Sequence, residues 1–230
     1  MLAPNDTSQV MSQEKTDPKP VLITGASRGL GAALAEVIAP KTHVIAVART
    51  TGALEELDDR IQAAGGSATL APMDVTDANA MAHLCRSIYD RWGGLDLWAH
   101  CAIHAPPLAP ADHIDSKDFS KTIALNVTAT AMLIPMIAPL LAPDSKGAVF
   151  FDDPHPGEKF FGSYAASKLA QIGLAQAWAA ESVRVGPKVR ILTPAPMPTA
   201  VRARFFPGED RSDLADPKAE AQKIVAEVGL

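Results

Sequence analysis

Tyr164 and Lys168 stand in the string Ser163-Tyr164-Ala165-Ala166-Ser167-Lys168. On a helix, that i, i+4 spacing puts both side chains on one face. Reduction of a carbonyl by hydride leaves an alkoxide that needs a proton. A phenol can deliver it once its pKa is brought down from about 10. A neighbouring ammonium stabilises the phenolate and moves the value that way. Lys168 is therefore expected to tune Tyr164 as a general acid/base. A chance pair on an exposed helix face is the bland alternative, and a second constellation argues against it.

That constellation is Thr24-Gly25-Ala26-Ser27-Arg28-Gly29-Leu30-Gly31, which follows an apolar run and opens an amphipathic one. A strand, a glycine turn and a helix in this order suit a dinucleotide pyrophosphate. Gly25 permits the sharp turn, Gly29 lets the backbone approach the phosphates, and Gly31 lets the helix pack on the strand. Ser27, Arg28 and Leu30 belong to the same cradle. The next strand ends Val47-Ala48-Arg49-Thr50. No carboxylate stands there to bond a ribose 2′-hydroxyl or repel a 2′-phosphate. Arg49 can pair with that phosphate in bidentate fashion, Arg28 supplies a second cation, and Thr50 flanks them. The expected cofactor is NADP.

The Gly-x-x-x-Gly-x-Gly spacing, taken with Tyr164-x-x-x-Lys168, resembles the short-chain dehydrogenase/reductase family from about Pro20 to Thr199. The resemblance implies further roles. Lys168 also bonds the nicotinamide ribose. Asp74 and Val75 meet the adenine edge, although Asp74 also suits a cap before Asp77. Asn126 holds a water that links to the lysine. Pro194 and Thr199 belong to the segment whose threonine bonds the carboxamide, with Ala195 where glycine is usual. Two stretches depart from the pattern. After the fourth strand, His100-Cys101-Ala102-Ile103 replaces Asn-Asn-Ala-Gly, so only Ala102 matches and Ile103 crowds the nicotinamide side. At the end of the fifth strand, Asp152 or Asp153 stands where a serine is usual. An ionised aspartate repels a developing oxyanion, whereas a protonated one can donate to it. The pteridine-reductase branch carries aspartate in that slot. No metal site is read at His100, Cys101 and His104, because consecutive strand residues face opposite ways.

These groups need elements to hold them. Strands are expected at Val21–Thr24, His43–Ala48, Ala68–Met73, Leu95–His100, Ala148–Phe151 and Val189–Thr193. Helices are expected at Leu30–Ala39, Ala53–Ala64, Ala78–Trp92, Phe119–Leu141 and Ser163–Val183, with a short one at Ala200–Arg204 and a last at Asp216–Val228. Their alternation predicts an α/β fold, a doubly wound parallel sheet of about six strands with helices on both faces. Residues 1–19 read as a flexible tail without an apolar signal core, and 20–230 as one NADP-binding domain.

Of the 230 residues, 47% are hydrophobic and 20% charged, which excludes a wholly disordered chain. The net charge of −5 gives no basic stripe for nucleic acid. With two cysteines, Cys85 and Cys101, a reducing, cytoplasmic setting is expected. The apolar run Ile123–Leu141 carries Asn126, Pro135 and Pro139, and reads as a buried helix, not a membrane span. The helices over 119–141 and 163–183 are apolar beyond one stripe, so they call for a partner subunit. The resemblance implies a homodimer or homotetramer through them.

The expected activity is NADP(H)-dependent hydride transfer to or from a small-molecule carbonyl or alcohol. Reduction of a pterin-like C=N bond is a variant of it. The competing expectation is a nucleotide-binding scaffold or sensor with little chemistry, motivated by the two departures.

Overall fold

The computed structural model describes residues 18–230, so all but the last two residues of the expected tail lie outside it. Six strands form one parallel sheet in the order β3-β2-β1-β4-β5-β6: β1 (Val21–Thr24), β2 (Val44–Ala48), β3 (Ala68–Pro72), β4 (Leu97–His100), β5 (Gly147–Phe151) and β6 (Val189–Leu192). The doubly wound architecture expected from the sequence is the one observed. Every residue of β1, β2, β4 and β5 is buried, as a sheet covered on both faces requires.

Alternate strand residues feed two cores. Val21, Ile23, Val44 and Ala46 pack with α1 (Gly29–Ile38), α2 (Thr51–Ala63) and the last helix, α8 (Pro217–Val228). Leu22, Ile45, Val47 and Trp98 pack on the other face with α3 (Ala78–Trp92) and the two helical stretches between β4 and β6. Asp77 caps α3 by accepting from the Asn79 and Ala80 amides, and Asp216 caps α8 by accepting from Ala219.

One expected helix differs in its interior. The run over 119–141 begins earlier, as α4 (Ser116–Ile123), after Asp115 accepts from the Lys117 and Asp118 amides. It then widens into a π-helical stretch over Ala124–Ala129, resumes as α5 (Thr130–Ile137), and tightens to a 3-10 turn over Ala138–Leu140. The π stretch holds Asn126, and such bulges aim side chains that a regular helix cannot. Pro135 lies on the exposed row, where its missing amide leaves a carbonyl that solvent can reach. The next long helix, α6 (Gly162–Glu181), carries Tyr164 and Lys168, and α7 (Ala200–Phe205) closes over the same end.

Strand order reverses between β1 and β4, which pair in the register Thr24↔His100. In open α/β sheets the crevice beyond the carboxyl ends of such strands receives the ligand.

Candidate active site

A cleft of about 280 Å³ opens at that crevice. Its first wall is the glycine turn. Gly25 has φ +85°, and a Cβ there would come within 2.5 Å of the Ala102 backbone nitrogen. At Gly31 a Cβ would strike the Gly25 carbonyl oxygen. Only glycine lets β1, the turn and the segment after β4 meet in this way. Among the described residues no side chain caps α1, and its first turn has no acidic residue. Its leading amides are therefore open to an anion in the cleft.

Gly25, Ser27, Arg28, Gly29, Leu30, Gly31, Arg49, Asp74, Val75, Ala102, Pro194 and Thr199 all line this space. Thr50 does not. It is the residue just before α2, exposed beside the cleft. Arg28 and Arg49 are both exposed, and Arg49 Nη1 lies 3.7 Å from Asp74 Oδ2. Asp74 also accepts from the Thr76 amide at 2.9 Å and the Thr76 hydroxyl at 2.8 Å, so it serves the local turn as well. Thr199 caps α7 by accepting from the Arg202 amide. These groups fit a nicotinamide dinucleotide, with backbone amides for the pyrophosphate and two exposed cations beside them.

The far wall is catalytic in character. Tyr164 is 3% exposed, and its hydroxyl donates to Asp153 Oδ2 at 2.8 Å. Asp153, not Asp152, is thus the aspartate that meets the phenol. Asp152 lines the cleft beside it and accepts from the Asp153 amide at 2.8 Å. Burial, then the negative charge and hydrogen bond of Asp153, hold the phenol well above its ordinary range. This reverses the expectation that Lys168 lowers it. The reason is geometric: Lys168 Nζ donates to Gln171 Oε1 at 2.7 Å, one helical turn further on. Burial pushes the Lys168 ammonium down to about 8, against the opposing pull of Asp153 and Asp152.

Asn126 is bonded to two neighbouring segments. Its Oδ1 accepts from the His104 amide at 2.7 Å, while Nδ2 donates to the His104 carbonyl at 3.0 Å and to Ser167 Oγ at 2.9 Å. Both amide hydrogens are used within the protein, so the side chain clamps the segment after β4 to α6. The residue is fully buried and does not line the cleft.

Behind Lys168 runs a buried polar chain. Gln171 Nε2 donates to Thr130 Oγ1 at 3.1 Å, and Thr130 donates to the Asn126 carbonyl at 2.9 Å. His100 Nε2 is 3.1 Å from Thr130 Oγ1, and Nδ1 is 2.8 Å from Thr24 Oγ1. Because the one Thr130 hydroxyl hydrogen goes to Asn126, His100 donates through Nε2 and accepts at Nδ1. Burial pushes His100 down to about 3, so it is neutral at pH 7.

The sequence profile of the short chain dehydrogenases matches residues 19–210. The chain belongs to this family. The protein is 28% identical over 184 residues to a sorbitol dehydrogenase of Cereibacter sphaeroides, covering 78% of this chain and 71% of the relative. It is 32% identical over 147 residues to a fatty acyl-CoA reductase of Acinetobacter baylyi, covering 63% of this chain and only 50% of that longer protein. A short chain dehydrogenase of Escherichia coli CFT073, solved complexed with NADPH, superposes with a TM-score of 0.83 at 27% identity, covering 95% of this chain and 94% of the other.

As a short-chain dehydrogenase, this chain has groups at its site that the motif spacing did not reveal. Gln171 and Thr130 were legible only as polar residues at i+3 from Lys168 and i+4 from Asn126 within apolar runs. His155, Phe205 and Phe206 line the cleft with Met197 and Val201. His155 stacks on Phe161 with ring centroids 4.2 Å apart, and Phe205 meets Tyr164 edge-on at 4.7 Å. Only the flanking prolines, Pro154 and Pro156, marked His155 as fixed in place.

Proposed function

We propose that this short-chain dehydrogenase is an NADP(H)-dependent oxidoreductase that interconverts a small-molecule carbonyl and its alcohol. The observation that carries the reading is the buried Tyr164 hydroxyl at the cleft, hydrogen-bonded to Asp153 and opposite the open N-terminus of α1. The NADPH complex of the E. coli CFT073 relative supports the choice of cofactor.

When bound, the nicotinamide supplies or accepts a hydride at the carbonyl carbon. The chain's own residues do the rest. Amides of the glycine turn bind the pyrophosphate, and Arg28 and Arg49 hold the 2′-phosphate. Tyr164 exchanges its proton with the substrate oxygen, and Asp153 fixes the phenol's orientation. Met197, Val201, Phe205 and Phe206 keep water from the reacting atoms and favour a substrate with an apolar body. We propose also that two copies associate through α6 and the helical run over 116–140, because Leu169 remains 57% exposed on α6. Sedimentation that found only monomer at micromolar concentration would remove that part.

The test is calorimetry with NADPH and NADH, followed by turnover on a carbonyl panel for the wild type and Tyr164→Phe. NADPH binding with a rate loss of about 10²–10⁴-fold in the variant is the expected result. Equal background oxidation by both proteins supports the scaffold reading instead, which draws on Ile103 in the cleft and on the lysine turned to Gln171.

A further inference from the structure

Two chains of polar contacts lead away from the centre of this cleft, and of these the one that starts at the phenol reaches the surface. The chain behind Lys168 ends in the sheet: Gln171 is 2% exposed, His100 3%, and Thr130 and Thr24 0%. The other chain starts at the phenol. Tyr164 donates to Asp153 Oδ2, His155 Nε2 lies 3.1 Å from Asp153 Oδ1, and His155 Nδ1 lies 2.9 Å from Glu158 Oε2. The imidazole side chain is 11% exposed and Glu158 is 49% exposed, so the sequence runs from a buried phenol to solvent.

The surroundings hold the imidazole in place. It stacks on Phe161 and touches Phe205 and Phe206. The pair with Glu158 is an ion-pair contact, and Nδ1 is shielded from solvent with no aligned hydrogen-bond acceptor. A relay through Nδ1 requires the exposed Glu158 side chain to turn until it is aligned. The charged groups around Asp153 are Asp152, Lys168 and Arg202, the last held by Glu209 at 2.7 Å. Asp153 itself lines the cleft, so its exposed edge faces the space that coenzyme and substrate fill.

We infer that Asp153, His155 and Glu158 form a proton relay that connects Tyr164 to solvent. The relay rests on the oxidoreductase reading above. In alcohol oxidation the substrate O–H proton moves to the phenol oxygen as the phenol proton moves to Asp153 Oδ2. The carboxyl group then turns about its Cβ–Cγ bond and passes that proton to His155 Nε2, and the Nδ1 proton leaves for Glu158 and then water. The carbinol C–H bond breaks with its electron pair going to the oxidised nicotinamide, and the C=O bond forms. Each proton step breaks one O–H or N–H bond and makes another. Carbonyl reduction runs every step in reverse.

Two measurements test the relay. In the coenzyme-free full chain, the ¹⁵N resonances of the His155 ring should shift on Tyr164→Phe and on Asp153→Asn; resonances indifferent to both overturn the relay, whether or not any substrate is turned over. In turnover, His155→Ala should lose on the order of 10²-fold in kcat, recover part of it with added imidazole, and bind NADPH as the wild type does. Glu158→Gln should show a smaller loss and a changed solvent isotope effect. Unchanged kcat in His155→Ala, or a loss that imidazole leaves untouched, overturns the relay. A wild type that binds no NADPH sinks the oxidoreductase reading instead, and the ring resonances still decide the coupling.

Discussion

At the β1–α1 end of the cleft, the groups offered to a ligand are backbone amides and two exposed arginines. At the β5–α6 end they are side chains already bonded to other side chains: Tyr164 to Asp153 and Lys168 to Gln171. The first end is shaped by what is missing, namely Cβ atoms and caps. The second is shaped by mutual satisfaction of buried polar groups, which are costly to leave unpaired. A ligand entering the first end finds free donors. One entering the second must compete with existing partners, so small changes in pairing there alter the chemistry.

That contrast can be broken most directly at the backbone end. Gly31→Leu drives a side chain against the Gly25 carbonyl. It should abolish NADPH binding in calorimetry and lower stability by about 3 kcal/mol in denaturant unfolding, since overpacking against backbone has little room to relax. A variant that bound coenzyme normally would show that the turn tolerates a side chain.

At the side-chain end, Gln171→Leu removes the acceptor from the Lys168 ammonium. A loss of about 2 kcal/mol is expected near pH 7. Its pH dependence has a definite sign. The folded Lys168 is pushed down to about 8 from 10.5, so the folded state binds fewer protons between those values. The stability tied to this group is complete above 10.5 and is lost as pH falls through 8. The difference between variant and wild type should therefore shrink as pH is raised from 7 to 10, because a neutral amine needs no charge-stabilising acceptor. A difference that is flat over that range would mean that Gln171 acts by packing alone.

The smallest effect sharpens the comparison at the rim. Arg49 is exposed and its partner Asp74 only partly buried. Arg49→Ala should weaken NADPH by about tenfold and leave NADH unchanged, with the difference fading at high salt. Equal weakening of both coenzymes would remove the 2′-phosphate role.

Legibility in the sequence followed the same division. The periodicity of apolar residues located every strand to within two residues, and the caps at Asp77 and Asp216 mark where two of the helices begin. The glycine turn was readable because glycine is the residue that a positive φ and a backbone contact demand. The catalytic face was readable only as residue types. Tyr164 and Lys168 were found, but their tie to each other was expected from spacing. The observed partners, Asp153 and Gln171, depend on how the β5 loop folds back and on a buried amide one turn away. The π stretch around Asn126 was invisible because an extra residue in a helical turn leaves the apolar pattern nearly unchanged. His155 went unremarked because the folding of the loop after β5 brings it against Asp153 and Phe161, and Phe205 reaches it from a distant stretch.

The sequence by itself determined the doubly wound sheet, the crevice at its reversal and the residue types that face it. Local chemistry suffices for these: alternation of apolar residues, glycine at strained turns, and side chains at helical spacing. Only the tertiary structure decided that the phenol answers to a carboxylate and the lysine to an amide. The phenol's partner comes from the loop after β5 and the lysine's from one turn along its own helix, and distance and burial, which residue types alone do not carry, choose each partner.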